Sequence, residues 1–134
     1  MRRPPFHHFL IFIVRDVGKK EEGLIMNLAT LTEAYSLSAD GPTKQVLFRS
    51  QEMVLILFGF LPGQALPPHK HPDFYLQVFV LQGSGLFRVD EEELPATAPQ
   101  VLTCEGNVSF GVLNNSQEPL YLLVMLRRSP MPDG

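Results

Sequence analysis

The chain of 134 residues is long enough for one domain of ordinary size and too short for two typical ones. Its composition, 45% hydrophobic and 19% charged, is typical of a protein that buries a real core. A net charge of −3 gives no reason to expect nucleic acid or an anionic membrane surface as a partner. The single cysteine, Cys104, excludes a disulfide within the chain and favours a reducing, cytoplasmic location.

An apolar run near the N-terminus, residues 9–14, is closed by Arg15 and Asp16. It is shorter than the roughly 7–15 apolar residues of a secretory signal and far shorter than the about 20 residues of a membrane span. We therefore predict a strand here, which lies outside the main barrel and adds to a sheet edge of its own subunit or of a partner. The sequence thus favours a homodimer and gives no sign of membrane association.

A short helix is predicted over residues 26–35. Asn27 would cap it, and Leu28, Leu31 and Tyr35 would share one face. Together with the apolar strand, this helix forms a predicted N-terminal unit, residues 1–43, that packs on the main domain.

Short strands follow one another from Lys44 onward, separated by Gly, Pro and Asn turns. Glu91–Glu93 is predicted to be a solvated hairpin tip, and residues 129–134 a frayed tail. The pattern predicts an all-β sandwich or barrel over residues 44–128. The predicted strands are 45–49, 53–60, 74–81, 86–90, 100–103, 108–112 and 120–126.

Two histidines, His69 and His71, stand one residue apart between Gly63 and Gly83. Residues i and i+2 of a strand share a face, so both imidazoles would point one way and Lys70 the other. Two converging imidazoles are the beginning of a metal site. The alternative is a polar segment whose imidazoles bond to neighbouring groups.

This stretch resembles the first signature of the cupin superfamily, G-x5-H-x-H-x(3-4)-E-x6-G. Gly63, His69, His71 and Gly83 match it in identity and spacing, whereas the acid position holds Leu76. The resemblance implies a cupin-type double-stranded β-helix, which is a small jelly-roll barrel, over about residues 44–127. In cupins the missing acid is one of the usual metal ligands.

The second cupin signature, G-x5-P-x-G-x2-H-x3-N, is poorly kept. With Asn115 as the anchor, the signature histidine falls at Gly111. Its two glycines fall at Gln100 and Val108, and its proline at Gly106. By this alignment only two of the four usual ligands remain.

Two imidazoles without an anionic partner should bind a divalent transition metal weakly, because nothing offsets the desolvation of the cation. Gln77 is a possible substitute ligand if a bulge turns its amide inward. Asp73 is another if the strand continues past His71, although Pro72 favours a turn there.

The lost ligands predict a barrel cavity that is larger and less polar than in a metal-loaded relative. Leu76 and Gly111 would stand where a carboxylate and an imidazole stand in the family. The cavity would suit a small apolar or aromatic molecule. The residues available to line it, each of which is otherwise a core residue, include Phe58, Tyr75, Phe79 and Phe110.

Three functions follow from these features. The first is a non-enzymatic cupin that binds or senses a small molecule. The second is a metal-dependent enzyme of the dioxygenase or isomerase type, with His69, His71 and either Gln77 or Asp73 as ligands. The third is an interaction module that has lost its pocket.

Overall fold

The computed structural model describes residues 26–129, and they form strands and one short helix. Residues 1–25, which include the predicted strand at 9–14, lie outside the described part, as do residues 130–134. The elements are α1 (Leu31–Ala34), β1 (Thr43–Arg49), β2 (Met53–Phe60), β3 (Ala65–His69), β4 (Phe74–Gln82), β5 (Ser84–Val89), β6 (Glu92–Thr97), β7 (Val101–Glu105), β8 (Phe110–Leu113) and β9 (Leu120–Arg128).

The strands form two sheets in which every neighbouring pair is antiparallel. The larger sheet has the order β1-β2-β9-β4-β7, and the smaller has the order β3-β8-β5-β6. The chain passes repeatedly from one sheet to the other, for example from β2 to β3. The predicted all-β, jelly-roll architecture is therefore confirmed. No helix within residues 26–129 has the length and apolar character needed to cross a membrane.

The core lies between the two sheets. Side chains alternate along each strand, so one face of each sheet points inward and supplies apolar groups to this core. Phe60, Leu120 and Leu122 have no exposed surface. The other buried members are Ile56, Phe58, Leu76, Val78, Val80, Phe87, Ala96, Phe110, Val112 and Val124.

The chain between Met26 and β1 packs on the outer face of the larger sheet. Tyr35 stacks on Tyr121 of β9 with ring centroids 3.8 Å apart. Gln45 donates its side-chain amide to the carbonyl of Ala34, and Gln64 donates to Ser38 at 2.8 Å. These contacts bury a second, smaller apolar cluster that contains Ala34, Leu47 and Leu57.

The predicted helix over 26–35 is wrong in extent. Only Leu31–Ala34 is helical, and Thr30 rather than Asn27 precedes it. The Asn27 amide donates to the carbonyl of Leu47 at 3.2 Å, so it ties the segment to β1 instead of capping a helix. Leu28 is 87% exposed and contributes nothing to an apolar face.

The predicted hairpin tip at Glu91–Glu93 is also wrong in extent. Glu92 and Glu93 already belong to β6, which pairs with β5, and the turn lies at Asp90 and Glu91. β6 was missed because its polar start and Pro95 break the usual strand pattern.

Two glycines of the first signature form the turns on either side of β3 and β4. Gly63, between β2 and β3, has φ +87°, and Gly83, between β4 and β5, has φ +92°. Glycine adopts this left-handed conformation without strain. At Gly83 a Cβ would also overlap the carbonyl oxygen of Pro119. These turns fix the segment that carries the two histidines.

Candidate functional site

His69 is the last residue of β3 and faces the inside of the barrel. Leu66 pairs with Val112 and His69 pairs with Phe110, so three residues of β3 span the distance that two span on β8. This shift, over Pro67 and Pro68, is a bulge that puts His69 on the inward face beside Phe110. His69 itself is exposed at the barrel mouth, the rim formed here by His69, His71 and neighbouring residues.

The His69 ring is oriented by its own strand. Its Nδ1 lies 2.8 Å from the carbonyl oxygen of Pro67. A carbonyl only accepts hydrogen bonds, so Nδ1 carries the proton. In the neutral ring, Nε2 is then left with a free lone pair toward a ligand.

His71 lies beyond the end of β3, and two main-chain hydrogen bonds outside the strand ladder hold it in place. Its N–H donates to the carbonyl of Gly106 at 2.6 Å, and its carbonyl accepts from Phe74 at 3.2 Å. A Cβ at Gly106 would overlap the His71 carbonyl oxygen, so only glycine permits this approach. The expectation of one extended strand through both histidines is therefore wrong, because β3 ends at His69.

The two imidazoles nevertheless lie close together, with ring centroids 6.5 Å apart and planes inclined by 29°. Burial lowers the pKa of His71, and the nearby basic groups His69 and Lys44 lower it further. The neutral ring is therefore favoured at neutral pH. Among residues 26–129, the charged groups that shift this pKa are both basic.

Leu76, at the acid position of the first signature, points into the core and is 2% exposed. It pairs with Cys104 of β7 and Leu126 of β9, both of which pack against the same core. An apolar side chain thus occupies the place from which the carboxylate would reach the histidines.

The second signature must be shifted by one residue. Asn114 is fully buried and donates to the carbonyls of Phe60 at 3.1 Å and Glu118 at 2.9 Å, whereas Asn115 is exposed. Asn114 is therefore the structural asparagine of this turn, and the signature histidine position moves from Gly111 to Phe110. Phe110 points inward, 7% exposed. The sequence offered one clue, because Phe110 and Val112 alternate as inward residues of a strand.

Neither proposed substitute ligand meets the histidines. Gln77 lies on the outer face of the larger sheet, where its amide donates to Thr103 at 3.1 Å. Asp73 adopts φ 76° in the turn after His71 and lines a separate cleft. Within residues 26–129 no three His, Cys, Asp or Glu side chains come together in a group that could hold a metal ion.

The predicted pocket residues divide between the two faces of the barrel wall. Phe58, Leu76 and Phe110 are inside, where they pack in the core. Tyr75 and Phe79 alternate with core residues of β4 and lie outside. Arg127 stands over the Tyr75 ring at 5.9 Å, and Phe79 pairs with Val101, which is 52% exposed. Assigning Tyr75 and Phe79 to the cavity was therefore wrong.

Gly111 also faces away from the interior. It lies in a cleft of about 200 Å³ on the outside of the smaller sheet, between Pro67 and Pro68 on one side and Leu86 and Arg88 on the other. A Cβ there would come within 3.1 Å of Pro68, so this glycine lets β3 approach β8 closely. Gly111 therefore leaves no space inside the barrel.

A second cleft of about 350 Å³ opens at the turn after His71. Its polar groups include Asp73 and Glu105, and neither histidine lines it. The remaining lining residues are Pro72, Phe74, Tyr75, Gly106, Asn107 and Ser129.

The residues at the mouth do not fit a tightly held metal ion. A structural zinc site uses four protein ligands and a catalytic one about three, and non-haem iron sites pair two histidines with a carboxylate. In the part of the chain that the structure describes, two of the four signature positions hold imidazoles and the other two hold Leu76 and Phe110.

The family model described as "Cupin domain" matches residues 56–126, which span β2 to β9. The chain belongs to the cupin family. A search of the curated proteins found no significant match to this cupin.

Solved structures resemble the cupin over most of its length. The TT1209 protein from Thermus thermophilus is 28% identical, over 78% of this chain and 100% of its own, with a TM-score of 0.73. An RmlC-like cupin from Desulfovibrio desulfuricans is 27% identical, over 76% and 96% of the two chains, with a TM-score of 0.70. A double-stranded β-helix protein from Klebsiella pneumoniae is 17% identical, over 78% and 92%, with a TM-score of 0.72, and supports the fold alone.

Proposed function

We propose that this cupin binds a small molecule with an apolar or aromatic body at the mouth of its barrel, without a tightly held metal ion and without catalysis. The observation that carries the proposal is the set of side chains at the four signature positions. Two are imidazoles, His69 and His71, and two are apolar, Leu76 and Phe110.

This set suits a neutral ligand better than a cation. The Nε2 lone pair of His69 can accept a hydrogen bond from a hydroxyl or amide of the ligand. Phe110, paired with His69 on the inward face, offers an apolar surface next to that acceptor. A small number of polar groups beside apolar surface is the usual composition of a ligand site.

The ligand would sit at the mouth and not deep inside. Phe58, Leu76 and Phe110 are each less than a tenth exposed and belong to one continuous core. The large internal cavity expected from the lost ligands is thus filled by the side chains that replaced them, and the proposed site is shallower.

The test is an NMR titration of isotope-labelled, metal-free protein with two neutral aromatic probes, benzamide and phenylacetamide. We expect the ring signals of His69 and His71 to shift in a saturable manner. The double variant His69→Ala, His71→Ala should lose most of the affinity. Lys70→Ala, a change between the two histidines, is the matched control and should keep it.

Metal analysis of protein purified without added metal addresses the enzymatic alternative. Near-stoichiometric iron, manganese, nickel or zinc that disappears in the His69→Ala, His71→Ala variant would contradict the proposal and favour a metal-dependent enzyme. A trace amount that does not depend on the two histidines is the result we expect.

The filled interior favours a second candidate, an interaction module whose barrel serves only as a scaffold. In that case no small probe would perturb His69 or His71 at any concentration. The same titration therefore separates the two candidates.

A further inference from the structure

A row of apolar side chains crosses the outer face of the larger sheet. Leu57 of β2 pairs with Leu123 of β9, which in turn pairs with Phe79 of β4. Phe79 pairs with Val101 of β7, at the edge of the sheet. Paired residues of an antiparallel sheet share a face and lie side by side, so these four side chains form one continuous apolar strip.

Residues 26–42 cover one end of this strip. Leu57 is 2% exposed and belongs to the apolar cluster that also contains Ala34, and Leu123 packs against the same cluster. Phe79 is only half-buried, and Val101 is 52% exposed. The strip therefore continues past the residues that cover it, and its end at β4 and β7 is open within residues 26–129.

The described part of the chain begins on this same face. The side-chain amide of Asn27 donates to the carbonyl of Leu47 on β1 at 3.2 Å. Met26 and Leu28, on either side of Asn27, are 70% and 87% exposed. The residues that precede Met26 are thus joined to the barrel on the outer side of the larger sheet, next to further exposed apolar groups.

The sequence before Met26 contains an apolar run that can reach the open end of the strip. Residues 9–14 are all apolar. The connecting residues 15–25 can span up to about 36 Å when extended. β1 and β7 stand at opposite ends of a five-stranded sheet, about 20 Å apart at the usual strand spacing. The connection is therefore long enough to bring the run from β1 to β7.

We propose that residues 9–14 dock across the open end of the strip, against Phe79 and Val101 of their own chain. The docked run extends the cover that residues 26–42 begin, and it removes apolar surface from water on both partners. The next pair on this face, Gln77 and Thr103, is polar and bounds the docking surface on that side. This docking does not depend on ligand binding at the mouth, because the strip lies on the outside of the barrel.

The experiment measures how fast a cysteine at position 101 reacts with iodoacetamide, an uncharged reagent. Val101→Cys is made in the whole chain with Cys104→Ser, so that it carries the only thiol. Leu94→Cys in the same background is the matched control, since Leu94 is an exposed apolar residue of β6, in the other sheet. Each rate is divided by the rate of the same variant unfolded in urea, and thermal unfolding checks that both variants fold.

The two positions should react in the reverse order of their exposure within residues 26–129, which is 52% for Val101 and 37% for Leu94. We expect the thiol at 101 to react about tenfold more slowly than the thiol at 94, because reaction requires the docked run to open. A thiol at 101 that reacts as fast as the one at 94, or faster, would overturn the proposal.

Charges placed in the run should uncover the strip. Ile11→Asp with Phe12→Asp puts a carboxylate on each face of an extended run, and a carboxylate is costly to bury in an apolar contact. We expect this pair to raise the rate at 101 about tenfold and to leave the rate at 94 unchanged. Val17→Asp with Gly18→Asp, an adjacent pair outside the run, is the matched control and should change neither rate. No change at 101 with the first pair, or an equal rise with the second, would contradict the docking.

Dilution separates the chain's own run from a second copy. The rate at 101 should stay constant over a hundredfold dilution, whereas a rate that rises on dilution would mean that another copy covers the strip and would overturn the proposal. An NMR measurement on the chain with its native cysteine is independent of these variants. Nuclear Overhauser effects should join the methyl groups of Val101 to those of residues 10–14, and their absence would also overturn the proposal.

Discussion

At the scale of one residue, the buried side-chain amide of Asn114 is expected to contribute to the stability of the fold. Its side chain closes the turn before β9 by donating to Phe60 and Glu118 and by accepting from the N–H of Ser116 at 3.0 Å. Removing the amide leaves buried main-chain groups without partners, which costs about 1–3 kcal/mol for each such group.

We therefore expect Asn114→Ala to lower the free energy of unfolding by about 2–4 kcal/mol. The matched control is Asn115→Ala, an exposed neighbour that should change it by less than about 0.5 kcal/mol. Urea unfolding of both variants measures the difference. Equal effects would return the signature anchor to Asn115 and its histidine position to Gly111.

The lowered pKa of His71 leads to a prediction about how the stability of the fold depends on pH. Its folded pKa lies below the ordinary value of 6.5, first because of burial and then because of His69 and Lys44. The unfolded chain therefore binds a proton more readily than the folded one between these two pKa values. The free energy of unfolding should rise with pH across that window and gain nothing further above it.

Urea unfolding of wild type and His71→Gln at a series of pH values tests this. The variant should lack the part of the slope that His71 contributes, and the comparison removes the contribution of every other histidine. In NMR titrations, Lys44→Gln should bring the His71 pKa back toward 6.5. A His71 pKa that stays the same in Lys44→Gln would mean that the two groups do not interact.

At the scale of elements, the bulge in β3 decides where the site lies. Without the extra residue at Pro67 and Pro68, His69 would fall on the outer face with the opposite parity. β8 then supplies the partner position, because Phe110 faces His69 across the pair. β3 therefore provides an imidazole, and β8, its neighbour in the sheet, provides the apolar group beside it.

The change Phe110→His tests this pairing by returning a third imidazole to the mouth. We expect zinc affinity, measured by calorimetry, to rise by on the order of a hundredfold over wild type, because three donors approach the number found in catalytic sites. Leu113→His, on the same strand but lining the outer cleft, is the control and should add little. Equal gains from both changes would contradict the inward placement of Phe110.

Much of the strand pattern could be predicted from the sequence, and the reasons are physical. β2 matches its predicted span of 53–60, since a long apolar run of this kind is typical of a buried strand. The same reasoning was wrong about which side chains of β4 point inward, because its nearly continuous apolar run includes residues on both faces of the sheet. Alternation from Leu76 would have placed Tyr75, Gln77 and Phe79 outside.

Parts of the site were beyond sequence reasoning. Two adjacent asparagines give no local reason to prefer Asn114, because the choice depends on which amide reaches the distant carbonyl of Phe60. The bulge in β3 depends on pairing with β8, about 40 residues later in the chain. The helix predicted over 26–35 is too long because Asn27 bonds to β1 instead of capping a helix. Gln45 bonds to the carbonyl of Ala34, at the end of the short helix that does form.

At the scale of the whole molecule, the cupin barrel forms with apolar side chains, Leu76 and Phe110, at two of the four signature positions. Leu76 and Phe110 belong to the same buried core cluster as Phe58. Burial of these apolar side chains contributes to the stability of the barrel.

The prolines of the smaller sheet have a further consequence for self-association. Its two outermost strands each contain proline, at Pro67 and Pro68 in β3 and at Pro95 in β6. A residue without an amide hydrogen cannot extend a ladder, so this sheet resists growth by addition of a foreign strand at either end. The outermost strands of the larger sheet, β1 and β7, contain no proline. Within residues 26–129, addition of a foreign strand is therefore easier at the edges of the larger sheet than at those of the smaller one.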